Sequence, residues 1–135
     1  MIAVMVLDLD YFKDVNDRWG HAAGDLLLKK VADRIADEVR DTDTVARQGG
    51  DEFSIVLSSL NSIEDARQIA EKIVASFYKP FHLDSIEAYV TTSLGVAMYP
   101  DDGEEIDTLI KNADKAMYEA KNLGRNRYCF HKKPS

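Results

Sequence analysis

Two short acidic stretches hold the residues best suited to chemistry. "DLD" sets Asp8 and Asp10 either side of Leu9, and "GGDEF" puts Asp51 and Glu52 directly after Gly49 and Gly50. Mg²⁺ prefers one or two carboxylates completed by waters and substrate phosphates, so a few acids from two parts of a chain suffice to hold it. Glycines 49 and 50 have no side chain to block a phosphate, and a glycine-rich turn can aim backbone N–H groups at one. Metal on the acids and phosphates over the glycines together make a nucleoside-triphosphate site. Taken alone, Gly-Gly-Asp-Glu also fits a surface hairpin with solvated acids, because turns are often acidic. Asp10 shares a strand face with Asp8 by the period of two, and it suits equally the cap of a helix beginning at Tyr11.

These residues need elements to position them. Residues 2 to 8 read as a fully buried strand leading into Asp8. "HAAGDLLLKKVADRIADEV" has Leu28, Val31, Ile35 and Val39 at helical spacing. The Gly-Gly pair then sits between strand-like runs, which suits a tight turn with positive φ at both glycines as its central residues. "SIEDARQIAEKIVASF" is a second helix, with Ser62 and Asp65 in a capping-box pattern. "AYVTTSLGVAMY" alternates Val90, Thr92, Leu94, Val96 and Met98 on one strand face. "EEIDTLIKNADKAMYEAKNLG" is a third helix, with Ile106, Leu109, Ile110, Ala113, Met117 and Ala120 on one face and Gly124 at its C′ position. "NRYCF" closes as a short last strand.

The order is β-α-β-β-α-β with an added α-β. The expected fold class is α+β, ferredoxin-like or palm-type, with an antiparallel central sheet and helices on one face. In that topology the end of the first strand lies beside the central hairpin, so Asp8 meets Asp51. A carboxylate at a strand start is tolerated where a cation is shared with a second one.

Bulk composition narrows the partners. At 135 residues, with 45% hydrophobic side chains, the chain can build one core without disulfides or structural metal. Lys and Arg total 17 against 24 Asp and Glu, a net charge of −7, which argues against a nucleic acid polymer as partner but not against a small nucleotide carrying its metal. The single cysteine, Cys129, excludes an internal disulfide and a Cys-rich zinc site and fits a reducing cytosol. "MIAVMVL" is too short to span a bilayer and lacks a signal peptide's basic start and cleavage site. A cytoplasmic domain with no membrane insertion of its own is expected, compatible with a membrane-tethered parent protein.

"ARQGGDEF" resembles the signature of the GGDEF family, the diguanylate cyclases. "LDLDYFKDVNDRWGHAAGD" is similar to the family's first strand, guanine-binding helix and following turn, and "TTSLGVAMYP" and "NADKAMYEAKNLGRNRY" to its later strand and last helix. "YPDDG" resembles GGDEF domains that precede an EAL phosphodiesterase domain. Family domains begin some tens of residues earlier, so residues 1–135 are expected to form a single GGDEF domain that is N-terminally short.

The resemblance implies condensation of two GTP molecules into cyclic di-GMP with release of pyrophosphate, by Mg²⁺-assisted (or Mn²⁺-assisted) attack of a 3′-hydroxyl on an α-phosphate across a transient homodimer. It implies Asp8, Asp51 and the carbonyl of Leu9 as metal ligands, and Asp51 or Glu52 as an aid to deprotonating the hydroxyl. Asn16 and Asp25 match guanine readers; from the residues alone, Asn16 suits a turn and Asp25 a helix N-terminus. A carboxylate accepts from guanine N1–H and the exocyclic amine, a donor pair adenine lacks. His21 lies in the same nucleotide-binding stretch. Lys13, Lys121 and Arg125 match basic residues that reach the triphosphate, and Gly49 and Gly50 line it. Arg40 and Asp43, in "RDTD", match an inhibitory product-binding site, where an Arg fork meets phosphate or guanine. The alternative is a catalytically weak or inactive GGDEF module that binds GTP or cyclic di-GMP and regulates a neighbouring domain.

Overall fold

The computed structural model describes residues 1–132. The apolar run at the start forms β1 (Ile2–Leu9), the middle strand of a five-stranded sheet ordered β2-β3-β1-β6-β7. β1 is followed by α1 (Phe12–Trp19) and α2 (His21–Asp37), then the hairpin of β2 (Thr44–Gly49) and β3 (Glu52–Leu57). Next come α3 (Ile63–Ser76), a two-stranded ribbon of β4 (Phe81–Leu83) and β5 (Ile86–Ala88), then β6 (Thr92–Tyr99), α4 (Ile106–Asn122) and β7 (Arg127–Phe130).

β1 lies antiparallel to both β3 and β6, as expected. Besides the pair of helices α1 and α2 where one was expected and the short β4–β5 ribbon, two features differ from the expected arrangement. β7 runs parallel to β6, and helices cover both faces of the sheet rather than one. Ala3, Met5, Leu7 and Leu9 enter a large core with Leu27, Val31 and Ile35 of α2 and Ala66, Ala70 and Ile73 of α3. Val4 and Val6 point the other way, into a smaller core with Leu109, Ala113 and Met117 of α4. The physical reason stands in the sequence of β1. Its apolar residues are continuous rather than alternating, the pattern of a strand buried on both sides.

Gly95 in β6 shows how closely α4 is seated. A Cβ there would stand 1.9 Å from the Ala113 carbonyl oxygen and 2.3 Å from the Met117 nitrogen. On the other face, Arg34 of α2 donates to the carbonyls of Ser76 (3.2 Å) and Pro80 (2.9 Å), and its guanidinium lies over the Phe81 ring. This ties α2 to the end of α3.

Local signals divide similarly. Gly124 has φ 124° and ends α4, with Gly124 N–H donating to Lys121 O (3.3 Å) and Arg125 N–H to Ala120 O (3.0 Å). That is the paired bonding of a Schellman motif. The capping box at Ser62 is not made. Ser62 is the N-cap of α3 but its side chain makes no cap bond, and Asp65 instead accepts from the Asn61 N–H at 2.9 Å. Ile106 is exposed, so the buried face of α4 starts at Leu109.

Candidate active site

Both glycines of the central hairpin have positive φ, 133° at Gly49 and 53° at Gly50. The turn itself is shifted one residue from the expected position. Gly49 pairs with Glu52, so Gly50 and Asp51 are the two central residues, and a bulge at Gln48 absorbs the extra step after the Arg47–Phe53 pair. The shift lifts Asp51 out of the strand and onto the turn. The Arg47 guanidinium donates to the Gly50 carbonyl at 2.8 Å and braces the loop. A Cβ on either glycine would meet nothing within 4 Å, so the space above the turn is open.

Asp8 and Glu52 are direct partners across β1 and β3, which puts both side chains on the α4 face of the sheet. The Leu9 N–H donates to the Asp51 carbonyl (3.4 Å), bringing the turn against the end of β1. From α4, Lys121 donates to Asp8 Oδ2 at 2.5 Å. The sheet and last helix therefore bring Asp8, Asp51, Glu52 and Lys121 together. Asp114 of α4 joins them electrostatically.

The charges in this cluster do not balance. Burial pushes Asp51 up to about 6, reinforced by a hydrogen bond to Asp8 and by its charge. Burial likewise raises Glu52, with help from the charges of Asp114 and Asp8, and burial and Asp8 raise Asp114 against the pull of Lys121. Burial alone would lower the Lys121 ammonium, but its bond to Asp8 and the charges of Asp8, Tyr118 and Asp51 together outweigh this and hold it above the usual range. Asp8 Oδ1 is buried and without a hydrogen-bond donor. When Asp8 and Asp51 are both ionised neither can donate to the other. A proton on Asp51 or a cation between the two carboxylates resolves the conflict. Among the described residues no group of three or more His, Cys, Asp or Glu side chains is arranged for a metal. Two carboxylates and the backbone carbonyl of Leu9 fit Mg²⁺, which leaves most of its positions to water and phosphate.

Asp10 does not cap α1. The N-cap is Tyr11, in the left-handed region with φ 60° and without a side-chain cap bond. Asp10 is instead buried, accepting from the hydroxyls of Thr91 (2.6 Å) and Ser93 (2.7 Å) and from the Asn126 N–H (3.1 Å).

Asn16 and Asp25 stand on the paired helices α1 and α2. Between them is buried Gly24, where a Cβ would lie 1.8 Å from Asn16 Oδ1. The glycine thus leaves room for the Asn16 side chain, a role the sequence reading missed, although a glycine inside an apolar helix is its signal. Asp25 is exposed and borders a cavity of about 520 Å³ shared with Lys29, Arg47 and Phe53, between α2 and the hairpin. Lys13 and His21 are exposed on α1 and at the start of α2. Arg125 follows Gly124 with its guanidinium over the Tyr11 ring, 4.8 Å from the centroid. A larger cavity, about 1100 Å³, lies away from the acids at the end of α3, walled by Phe77, Tyr78, Tyr89 and Asn126.

Arg40 and Asp43 lie apart from this cluster. Asp43 precedes β2 and binds Ser58, just past the end of β3, whereas the acids stand at its start. The five residue steps of β3 separate its two ends by about 17 Å. The Asp43 carboxylate is fully buried and accepts from the N–H groups of Arg40 (3.0 Å) and Ser58 (3.1 Å). Arg40, half exposed, also donates to the Ser58 carbonyl.

The family model described as "Diguanylate cyclase, GGDEF domain" matches residues 1–127. This chain belongs to the GGDEF family. The bifunctional diguanylate cyclase/cyclic di-GMP phosphodiesterase MucR of Pseudomonas aeruginosa is 49% identical over 95% of this chain and 18% of its own length. The cyclic di-GMP phosphodiesterase NbdA of the same organism is 44% identical over 96% of this chain and 16% of its own. The crystal structure of the GGDEF domain of Pseudomonas aeruginosa TpbB (YfiN) superposes with a TM-score of 0.95, at 41% identity over 98% of this chain and 83% of that one. The chain thus spans under a fifth of MucR and NbdA, relatives whose remaining length lies outside the GGDEF match. Among the described residues no helix is long and apolar enough to cross a membrane.

Proposed function

We propose that this GGDEF domain is a diguanylate cyclase, joining two GTP molecules into cyclic di-GMP and releasing pyrophosphate. The observation that carries the reading is the unbalanced acid pair, with Asp8 Oδ1 buried and undonated beside an Asp51 whose carboxyl is pushed up to about 6. Asp8, Asp51 and the Leu9 carbonyl would hold Mg²⁺ or Mn²⁺, which when bound neutralises phosphate charge and acidifies the attacking 3′-hydroxyl.

The protein's own groups do the rest. The open turn at Gly49 and Gly50 admits phosphates close to the backbone. Asn16 and Asp25 read guanine, with Lys13 and His21 on the same helical pair. Lys121 and Arg125 offer positive charge from the end of α4, and Lys121 already compensates Asp8. Glu52, whose carboxyl is raised by burial and by Asp114, is suited to accept a proton from the attacking hydroxyl. Arg40, exposed and remote from the acids, would bind product through the guanidinium N–H groups that Asp43 and Ser58 leave free, with Asp43 holding its loop.

The deciding experiment is incubation of the full chain with GTP and Mg²⁺, followed by pyrophosphate quantitation and product identification. Cyclic di-GMP is expected, and its absence with intact GTP binding favours a second reading. In that reading the domain binds GTP or cyclic di-GMP and regulates a neighbour; the phosphodiesterase name of NbdA, 44% identical here, supports it.

A further inference from the structure

The turn after α4 is unusual in its backbone. Gly124, Arg125 and Asn126 have φ of 124°, 64° and 51°, three consecutive residues in the positive region. Asn tolerates that conformation, but Arg does not favour it, and such strain persists where surroundings over-determine it. Two contacts from the end of β1 meet this turn. The buried Asp10 carboxylate accepts the Asn126 N–H, while the hydroxyls of Thr91, just before β6, and of Ser93 within it fix the carboxylate in place. The Tyr11 ring, itself on a left-handed residue, lies under the Arg125 guanidinium. Stacking fixes the plane of a guanidinium while leaving its edge N–H donors free, and those of Arg125 find no acceptor among the described residues.

We propose that Asp10 and Tyr11 are positioning residues for Arg125, holding the turn after α4 and the guanidinium plane so that its N–H edge faces the triphosphate. The inference rests on the reading of Arg125 as a phosphate contact. Asp10 acts on the backbone and Tyr11 on the side chain. The Asp10–Tyr11 dipeptide follows Asp8 and Leu9 directly, so it links the metal-binding end of β1 to the phosphate-binding end of α4. Neither residue touches the reacting atoms.

The test compares affinity for Mg²⁺–GTP with affinity for guanosine, which has no phosphate for Arg125 to meet. Tyr11 is 62% exposed, so Tyr11→Ala should fold. It is expected to weaken Mg²⁺–GTP binding about threefold, the scale of an exposed cation–π contact, and to leave guanosine affinity unchanged. Tyr11→Phe should restore GTP affinity, and Tyr11→Ala should have no further effect in an Arg125→Ala background. Asp10→Ala, which removes the acceptor of the Asn126 N–H, should weaken GTP about tenfold, again without affecting guanosine. Equal losses for GTP and guanosine, or no loss in Tyr11→Ala while Arg125→Ala binds GTP poorly, overturn the positioning role alone. Unchanged GTP affinity in Arg125→Ala overturns the phosphate role of Arg125 and the inference with it.

Discussion

Asp51 concentrates the conflict on which the site is built. A carboxyl held near 6 in the native chain, against an ordinary value of 3.8, binds its proton more tightly when folded than when unfolded. Its contribution to stability is therefore fully present below about pH 4 and is lost as pH rises through about 6. Thermal melts of the metal-free chain should show this component declining across that window, and Mg²⁺ should restore stability above it. A flat profile at this step would show that Asp51 ionises without strain. Asp51→Asn removes the repelling charge while keeping the shape. It should melt at or above the wild-type temperature near neutral pH, yet lose at least about 100-fold in turnover, since metal-held charge stabilisation is worth several kcal/mol. Near-normal turnover in that variant would remove Asp51 from the metal site. Arg40 and Asp43 separate in the same manner. Asp43→Ala leaves two backbone N–H groups without their acceptor and should cost about 1–3 kcal/mol in denaturant melts. Arg40→Ala should change stability little and remove product binding in calorimetry.

At the scale of elements, glycine decides two contacts. Gly95→Ala drives a methyl into the backbone of α4, and no rotamer change can relieve a clash with a carbonyl at 1.9 Å. It should cost about 3 kcal/mol and displace the helix carrying Lys121, read as lost stability together with weaker GTP binding. Gly24→Ala meets the flexible Asn16 side chain instead. Stability should fall less, while preference for GTP over ATP should drop by about tenfold or more if Asn16 reads guanine. These two residues also mark where the sequence was legible and where it was not. α2, α3 and α4 announce themselves through apolar periodicity, and Gly124 marks the end of α4, because such signals are local. The covering of both sheet faces was written in the unbroken apolar run of β1 but read against a ferredoxin-like expectation. β4 and β5 are three residues each, too short for a period to emerge. The pairing of Asp8 with Asp51 followed from topology, whereas the role of Asp10 depends on hydroxyls more than 80 residues away, beyond any local pattern.

For the whole molecule, the count of sites sets the kinetics. In the proposed cyclase, one glycine turn, one acid pair and one Asn16–Asp25 pair would hold a single GTP, but cyclic di-GMP contains two guanylates, each joined through the other's 3′-oxygen. On that reading two domains would face each other about a two-fold axis, so that each turn presents its α-phosphate to the hydroxyl bound by its partner. Holding the reactants in that register is the dimer's contribution to rate. A net charge of −7 per chain opposes close approach of empty domains, and the three acids gathered around Asp8 make the facing surfaces more repulsive still. Bound Mg²⁺ offsets part of that repulsion. The productive pair should therefore be transient, and salt should favour it by screening until it weakens nucleotide binding. In a pyrophosphate-release assay with saturating Mg²⁺–GTP, the rate per chain should rise in proportion to protein concentration at high dilution and level off once pairs predominate. Light scattering on the same samples locates that crossover independently. A rate per chain that stays constant on dilution, in samples that scatter as monomers throughout, would mean that one domain holds both nucleotides and that the half-site arrangement is wrong.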